Sequence, residues 1–246
     1  MNEIKMVVGD LDDTILDSKK QISPEMKRMR NQLKQHGILF VIATARSVLS
    51  ASQYIAALEP DYIISCDGGL ISSMRENIFV NSITEKQFAR LFGSIRDSDE
   101  IGKISIVSIN NDYNNYKGKP FPEQFEDGII KVICEVFTEN MRKVLQKENE
   151  DLLLSYYYGQ AWVRFSNKRA TKYCALCQLC QFIGLSTNQV LVFGDDCNDV
   201  EMLAKCGIGV AVSNAIASAK EVSDYITTDN NSDGVAFFIK EYFEYK

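Results

Sequence analysis

The chain has 246 residues, 46% hydrophobic and 24% charged, a balance that supports a sizeable buried core in one large domain or two modest ones. A formal net charge of −6 with no basic stripe argues against nucleic acid, and no apolar run reaches the roughly 18 residues that span a membrane. The seven cysteines are an odd number, and the first strand starts almost at once after MNEIK. Both features point to a cytoplasmic protein with reduced thiols and no signal peptide.

The first apolar run, Met6-Val7-Val8, is too short for a helix and suits a buried strand. It runs out into Asp10, Asp12, Asp13 and Thr14. Carboxylates at the carboxyl end of a strand lie at the edge where open α/β sheets bind ligands. If the chain stays extended, alternation puts Asp10 and Asp12 on one side, free to share a metal or phosphate. A plain acidic turn is the alternative.

Ser23-Pro24-Glu25 reads as a helix start with Ser23 as N-cap, and Met26, Met29 and Leu33 continue at helical spacing to a stop at Gly37. Ile38 to Ala43 is a second strand, ending in Thr44-Ala45-Arg46, and a helix follows over 48–58. Tyr62 to Ser65 is a third strand, ending in Cys66-Asp67-Gly68-Gly69. This alternation implies a parallel sheet with right-handed crossovers.

The pattern changes near Asn81. A helix is predicted over 84–96, a strand over 104–109 and a polar loop or lid over 110–128. A strand over 129–137, a helix over 139–147 and a hairpin of 152–158 with 161–165 around Gly159 follow. Helix-strand-strand twice over suggests an antiparallel sheet with helices on one face. The expected domains are therefore 1–81 with 168–246, and an inserted α+β unit over 82–167.

Parallel alternation then resumes. A helix is expected over 171–183, and a strand over 189–193 ends in Gly194-Asp195-Asp196-Cys197-Asn198-Asp199. A helix carries Val200, Met202 and Leu203, strands follow at 208–212 and 225–227, and a last helix covers 234–245.

Four strand ends thus carry polar groups: Asp10/Asp12, Thr44, Asp67 and Asp195/Asp199, with Lys172 at a helix start. Clustered carboxylates repel unless a cation neutralises them. Hard oxygen ligands suit Mg²⁺, which shares its shell with waters and a substrate phosphate. The Thr44 hydroxyl and the Lys172 ammonium are donors for phosphate oxygens. One carboxylate is then free to attack phosphorus.

These motifs resemble those of the haloacid dehalogenase-like hydrolase superfamily, and within it the Cof-like sugar-phosphate phosphatases. The resemblance covers nearly the whole chain. It rests on Asp-x-Asp-x-Thr at 10–14, Thr44 at a strand end, Lys172 before a helix and Gly-Asp-x-x-Asn-Asp at 194–199. The segments at 209–215 and 233–236 also look like that group. The resemblance implies a phosphatase acting on a small phosphorylated metabolite through an aspartyl-phosphate. Asp10 resembles the nucleophile and Asp12 the general acid and base. Mg²⁺ would be held by the Asp10 carboxylate, the Asp12 carbonyl and Asp195, with Asp199 supporting it. Thr44, Lys172 and Asn198 would hold the phosphoryl group, and Asp67 would face the leaving group. A phosphomutase and a non-catalytic binder of phosphorylated metabolites are the rival readings. The chain departs from the family pattern at Asp13 and Tyr173, where Gly is usual, and at Asp67, where Asn is usual. Lys168 is the fallback for Lys172.

Other features have plainer readings. Cys174, Cys177 and Cys180 read as helix thiols rather than ligands, and His36 as a helix C-terminal cap. Tyr156, Tyr157, Tyr158 and Trp162 read as strand packing more than as a sugar site. Cys197 reads as a small residue tolerated within its motif. Composition assigns no oligomeric state.

Overall fold

In the computed structural model, which describes residues 3–120, 128–156 and 161–244, the first apolar run is strand β1 (Met6–Gly9), buried at every position. Helix α1 (Pro24–Gln35) begins as its residues dictate, with Pro24 in the first turn and the Ser23 hydroxyl accepting the Met26 N–H. It ends at His36, whose N–H donates to Gln32, and at Gly37, which takes the left-handed φ of +69°. Strand β2 (Leu39–Ala43), helix α2 (Val48–Leu58) and strand β3 (Tyr62–Ser65) follow as the alternation predicts.

A hairpin of β4 (Leu70–Ser73) and β5 (Asn77–Val80) comes next, where the sequence gives no strong apolar alternation. Serines in β4 and the polar Arg75-Glu76 turn hide it, although Ser72 is buried.

Two compact units emerge, Met1–Ile78 with Thr171–Lys246, and Phe79–Ala170. The second holds helix α3 (Glu85–Ile95), strands β6 (Ile101–Ser108), β7 (Asp112–Tyr113) and β8 (Ile129–Val136), helix α4 (Glu139–Glu148), and strands β9 (Leu152–Tyr156) and β10 (Trp162–Asn167). Its antiparallel sheet runs β7-β6-β8-β10-β9. Phe88, Leu91, Phe92 and Ile95 of α3 and Met141 and Leu145 of α4 pack with Ile104, Ile106, Val132, Cys134 and Phe165 in one core. These strand residues alternate, so both helices cover the same sheet face. Strand β7 lies inside the stretch read from sequence as loop, because two residues are too few to show a period. The rest of that stretch at 121–127, and the turn around Gly159 with Tyr157 and Tyr158, lie outside the described residues.

The chain returns to the first unit through helix α5 (Lys172–Ile183), strand β11 (Val190–Gly194), helix α6 (Val200–Lys205), strand β12 (Ile208–Val212), helix α7 (Ala217–Val222), strand β13 (Tyr225–Thr227) and helix α8 (Gly234–Glu244). The short α7 was not expected from the sequence. The sheet order is β13-β12-β11-β1-β2-β3-β4-β5, parallel from β13 to β3, with β4 antiparallel to β3. Leaving β1 the chain winds outward through β2 and β3, then restarts on the other side at β11. The carboxyl end of β1 is therefore a topological switch point, where such sheets open a crevice. This is the expected α/β core with an α+β insert. Among the described residues no helix is long and apolar enough to cross a membrane.

Candidate active site

The segment after β1 turns sharply. Leu11–Ile15 forms a single π turn, in which the Ile15 N–H donates to the Asp10 carbonyl at 3.3 Å and the Leu16 N–H to that of Leu11 at 2.8 Å. Asp13 takes a left-handed φ of +59° within it. Asp10 and Asp12 themselves keep extended torsions, and the chain turns at the left-handed Asp13.

Asp10 is buried, and its Oδ1 accepts from Lys172 Nζ at 2.6 Å. Lys172 opens α5, behind the Thr171 N-cap whose hydroxyl accepts the Cys174 N–H. Its side chain is 1% exposed, and it also donates to Asp199 Oδ1 at 2.7 Å. The other Asp199 oxygen accepts the N–H groups of Asp195 and Asp196, each at 3.2 Å. Asp199 thus uses both oxygens to hold Lys172 and the loop after β11. Gly194 makes room for it, because a Cβ there would lie 2.5 Å from the Asp199 Cβ. Asp195 Oδ1 accepts the Thr14 hydroxyl at 2.6 Å. One oxygen each from Asp10, Asp195 and Asp199 lies within 4.8 Å of the others.

The electrostatics follow from this crowding. Burial pushes the Asp10 carboxyl well above its usual range, against the pull of Lys172, and Asp199 and Asp195 push the same way. Burial raises Asp195 to about 7, with the Thr14 hydrogen bond opposing and Asp199 assisting. Burial works against the Lys172 charge, but Asp10, Asp199 and Asp67 outweigh it and hold the ammonium protonated. Several carboxylates therefore share one cation, and the cluster carries unbalanced negative charge. Oxygen-only donors with this charge excess fit a hard divalent cation. Asp10 and Asp195 each keep one oxygen outside any hydrogen bond among the described residues.

Asp12 sits apart from the three-carboxylate cluster. Its oxygens accept from Arg46 Nε and NH2, both at 2.7 Å, and Lys20 lies 3.2 Å away. Burial works to raise this carboxyl, but Arg46 and Lys20 win and hold it below its usual range. Thr44 is fully buried at the end of β2, with its N–H on the Ile64 carbonyl and its Oγ1 accepting the Arg46 N–H at 3.1 Å. Its hydroxyl proton remains to donate. Asp67, 1% exposed and with φ of +58°, accepts from Asn198 Nδ2 at 2.8 Å. These two expected substrate contacts bond each other, and Asn198 Oδ1 is left buried without a partner among the described residues.

Lys172 rather than Lys168 reaches the carboxylates, and Lys168 is exposed. Cys174, Cys177 and Cys180 form no metal-capable cluster among the described residues, and all seven cysteines are free thiols. Sequence reasoning gave no role to Thr14, Lys20, Arg46, Asn214 or Asn230. Asn214 Nδ2 donates to the Asp13 carbonyl at 2.7 Å, and Asn230 Nδ2 to that of Leu16 at 2.9 Å. Both fasten the π turn from loops beyond β12 and β13. The family-like segment at 209–215 was the available signal for Asn214.

Residues 7–135 and 108–239 match the haloacid dehalogenase-like hydrolase family. The chain is 29% identical over 259 residues to a putative phosphatase of Haemophilus influenzae, covering 97% of this chain and 98% of that protein. It is 24% identical over 245 residues to the Bacillus subtilis 5-amino-6-(5-phospho-D-ribitylamino)uracil phosphatase YcsE, covering 98% and 96% respectively. The fold superposes on a haloacid dehalogenase-like hydrolase from Bacteroides thetaiotaomicron with a TM-score of 0.83 at 22% identity, over 98% of this chain and 100% of that one. With a family match along most of its length, the chain belongs to the haloacid dehalogenase-like hydrolases, as an enzyme of their Cof-like phosphatase group.

Proposed function

We propose that this enzyme is a Mg²⁺-dependent, cytoplasmic phosphomonoester hydrolase acting on a sugar or polyol phosphate, with Asp10 as nucleophile. The observation that carries the reading is the pairing of a buried Asp10 with Lys172 beside Asp195 and Asp199. In the first step an Asp10 oxygen bonds to phosphorus while the ester P–O bond breaks. Asp12, a carboxylate while paired to Arg46, takes up a proton from solvent in exchange for one arm of that pair and passes it to the leaving alkoxide. Water then attacks phosphorus, Asp12 takes its proton, and the Asp10–phosphorus linkage breaks to release phosphate. Lys172 orients the nucleophile, and Lys172 with the Thr44 hydroxyl steadies the phosphoryl oxygens. Mg²⁺ would be held by Asp10 and Asp195 with Asp199 behind them, and would supply charge neutralisation at phosphorus.

The core groups meet only the phosphoryl group, which all phosphomonoesters share. Discrimination is therefore assigned to Asp67 and to the inserted unit over 82–167. A hydroxylated leaving group is supported by the B. subtilis relative, whose name specifies a phosphorylated ribityl chain. A screen of phosphorylated metabolites, read by phosphorus NMR, tests this. Free phosphate from sugar or polyol phosphates is expected, and an isomeric phosphate product would make the enzyme a mutase. Substitutions in the insert should reorder the substrates while leaving Mg²⁺ affinity almost unchanged, as calorimetry would measure.

The raised carboxyls add a pH prediction. Asp195, held near 7 when folded and ordinarily near 3.8, contributes stability to the metal-free protein that is fully present below about pH 4. That stability is lost as pH rises from about 4 through 7. Thermal melts without metal should fall across this window by more in the wild type than in Asp195→Asn, which lacks the titrating group. Mg²⁺ should remove the fall, and its affinity should rise roughly tenfold per pH unit for each proton displaced.

A further inference from the structure

The carboxylate of Asp12 is held by more than its own turn. Arg46 presents a two-pronged fork, Nε to Oδ2 and NH2 to Oδ1, both at 2.7 Å. The guanidinium lies over the Tyr54 ring, 5.0 Å from its centroid, and NH1 reaches the Ser50 carbonyl at 3.4 Å. The Arg46 backbone is pinned too, by its N–H on Thr44 Oγ1 and by its carbonyl accepting the Cys66 N–H at 2.8 Å. The other cation on Asp12, Lys20, is a 40%-exposed side chain that it shares with Asp13. A flexible ammonium sets no direction, whereas a braced planar fork fixes both oxygens at once.

We propose that Arg46 is a positioning residue for the general acid and base, with Tyr54 as its brace. This rests on the assignment of proton transfer to Asp12. With both oxygens accepting from the fork, the carboxylate has one preferred place and direction. To protonate a leaving group, one oxygen must exchange an arm of the fork for a proton. The other arm, kept in place by Tyr54 and Ser50, holds the carboxyl in register while that happens. Without Arg46 a partly exposed Asp12 side chain samples several rotamers, and proton delivery is lost in proportion.

The test separates proton delivery from folding and phosphoryl binding. Phenyl phosphate and 4-nitrophenyl phosphate have nearly the same shape, but only the phenolate needs a proton to leave well. Their kcat/KM values report the first chemical step. Arg46→Met should raise the ratio of 4-nitrophenyl to phenyl kcat/KM by roughly tenfold or more, within the range of acid catalysis. Arg46→Lys keeps the charge and loses the fork, and should shift the ratio the same way by less. Asp12→Asn should give the full shift, and adding Arg46→Met to it should change the ratio no further. An equal loss on both substrates, or a change confined to KM, would overturn the proposal. A shift with Asp12→Asn but none with either Arg46 variant overturns it while leaving Asp12 as the acid. No shift with Asp12→Asn removes the acid assignment itself, and the Arg46 role with it.

Discussion

Asp10→Asn should abolish Mg²⁺-dependent hydrolysis of 4-nitrophenyl phosphate, by on the order of 10⁴-fold or more, with the fold intact. The amide is nearly isosteric, so β1 and its turn have no steric reason to move. It cannot form the acyl-phosphate, and no other carboxylate stands in its place. Asp195 is bonded to Thr14, Asp199 uses both oxygens, and Asp12 is paired to Arg46. Steady-state rates and a circular dichroism spectrum decide the point. Turnover within tenfold of wild type would mean that the nucleophile lies elsewhere.

Lys172→Met should cost both activity and stability. The ammonium is the buried counter-ion of Asp10 and Asp199, and the methionine side chain fills similar space without charge. Breaking a buried pair by removing one partner costs about 3–5 kcal/mol, because the other charge stays buried and uncompensated. Here two carboxylates are stranded, and Asp199 is fully buried. Urea unfolding of the metal-free variant should show a loss of this size, and saturating Mg²⁺ should recover part of it by neutralising the same carboxylates. A loss below about 1 kcal/mol, the size expected of exposed pairs, would contradict the role given to Lys172.

Much of this site was legible in the sequence because its parts lie where apolar runs end. A strand that stops in Asp10, Thr44, Asp67 or Asp195 marks its own carboxyl edge, and the β-α alternation sets those edges side by side. Helix starts were equally plain, since Ser23 with Pro24 and Thr171 before Lys172 satisfy orphan N–H groups by local chemistry. What was not legible depends on backbone torsions or on distant partners. The π turn at 11–15 breaks the strand pattern after Asp12, and no periodicity announces a left-handed Asp13. The Arg46–Asp12 pair joins residues 34 apart, and Asn214 reaches Asp13 across 201 positions. The hairpin of β4 and β5 carries too many serines and charges to show alternation. That Asp67 and Asn198 bond each other follows from the packing of two strand ends, which only coordinates reveal.

On the proposed mechanism the phosphoryl group passes through Asp10. Enzyme mixed briefly with a phosphorylated substrate and Mg²⁺, quenched in acid and treated with borohydride, reduces any acyl-phosphate to an alcohol. Peptide mass spectrometry should then find homoserine in place of aspartate at position 10, and nowhere in a sample quenched without substrate. Homoserine at another aspartate, or an unmodified Asp10 in enzyme that was turning over when quenched, would contradict the account.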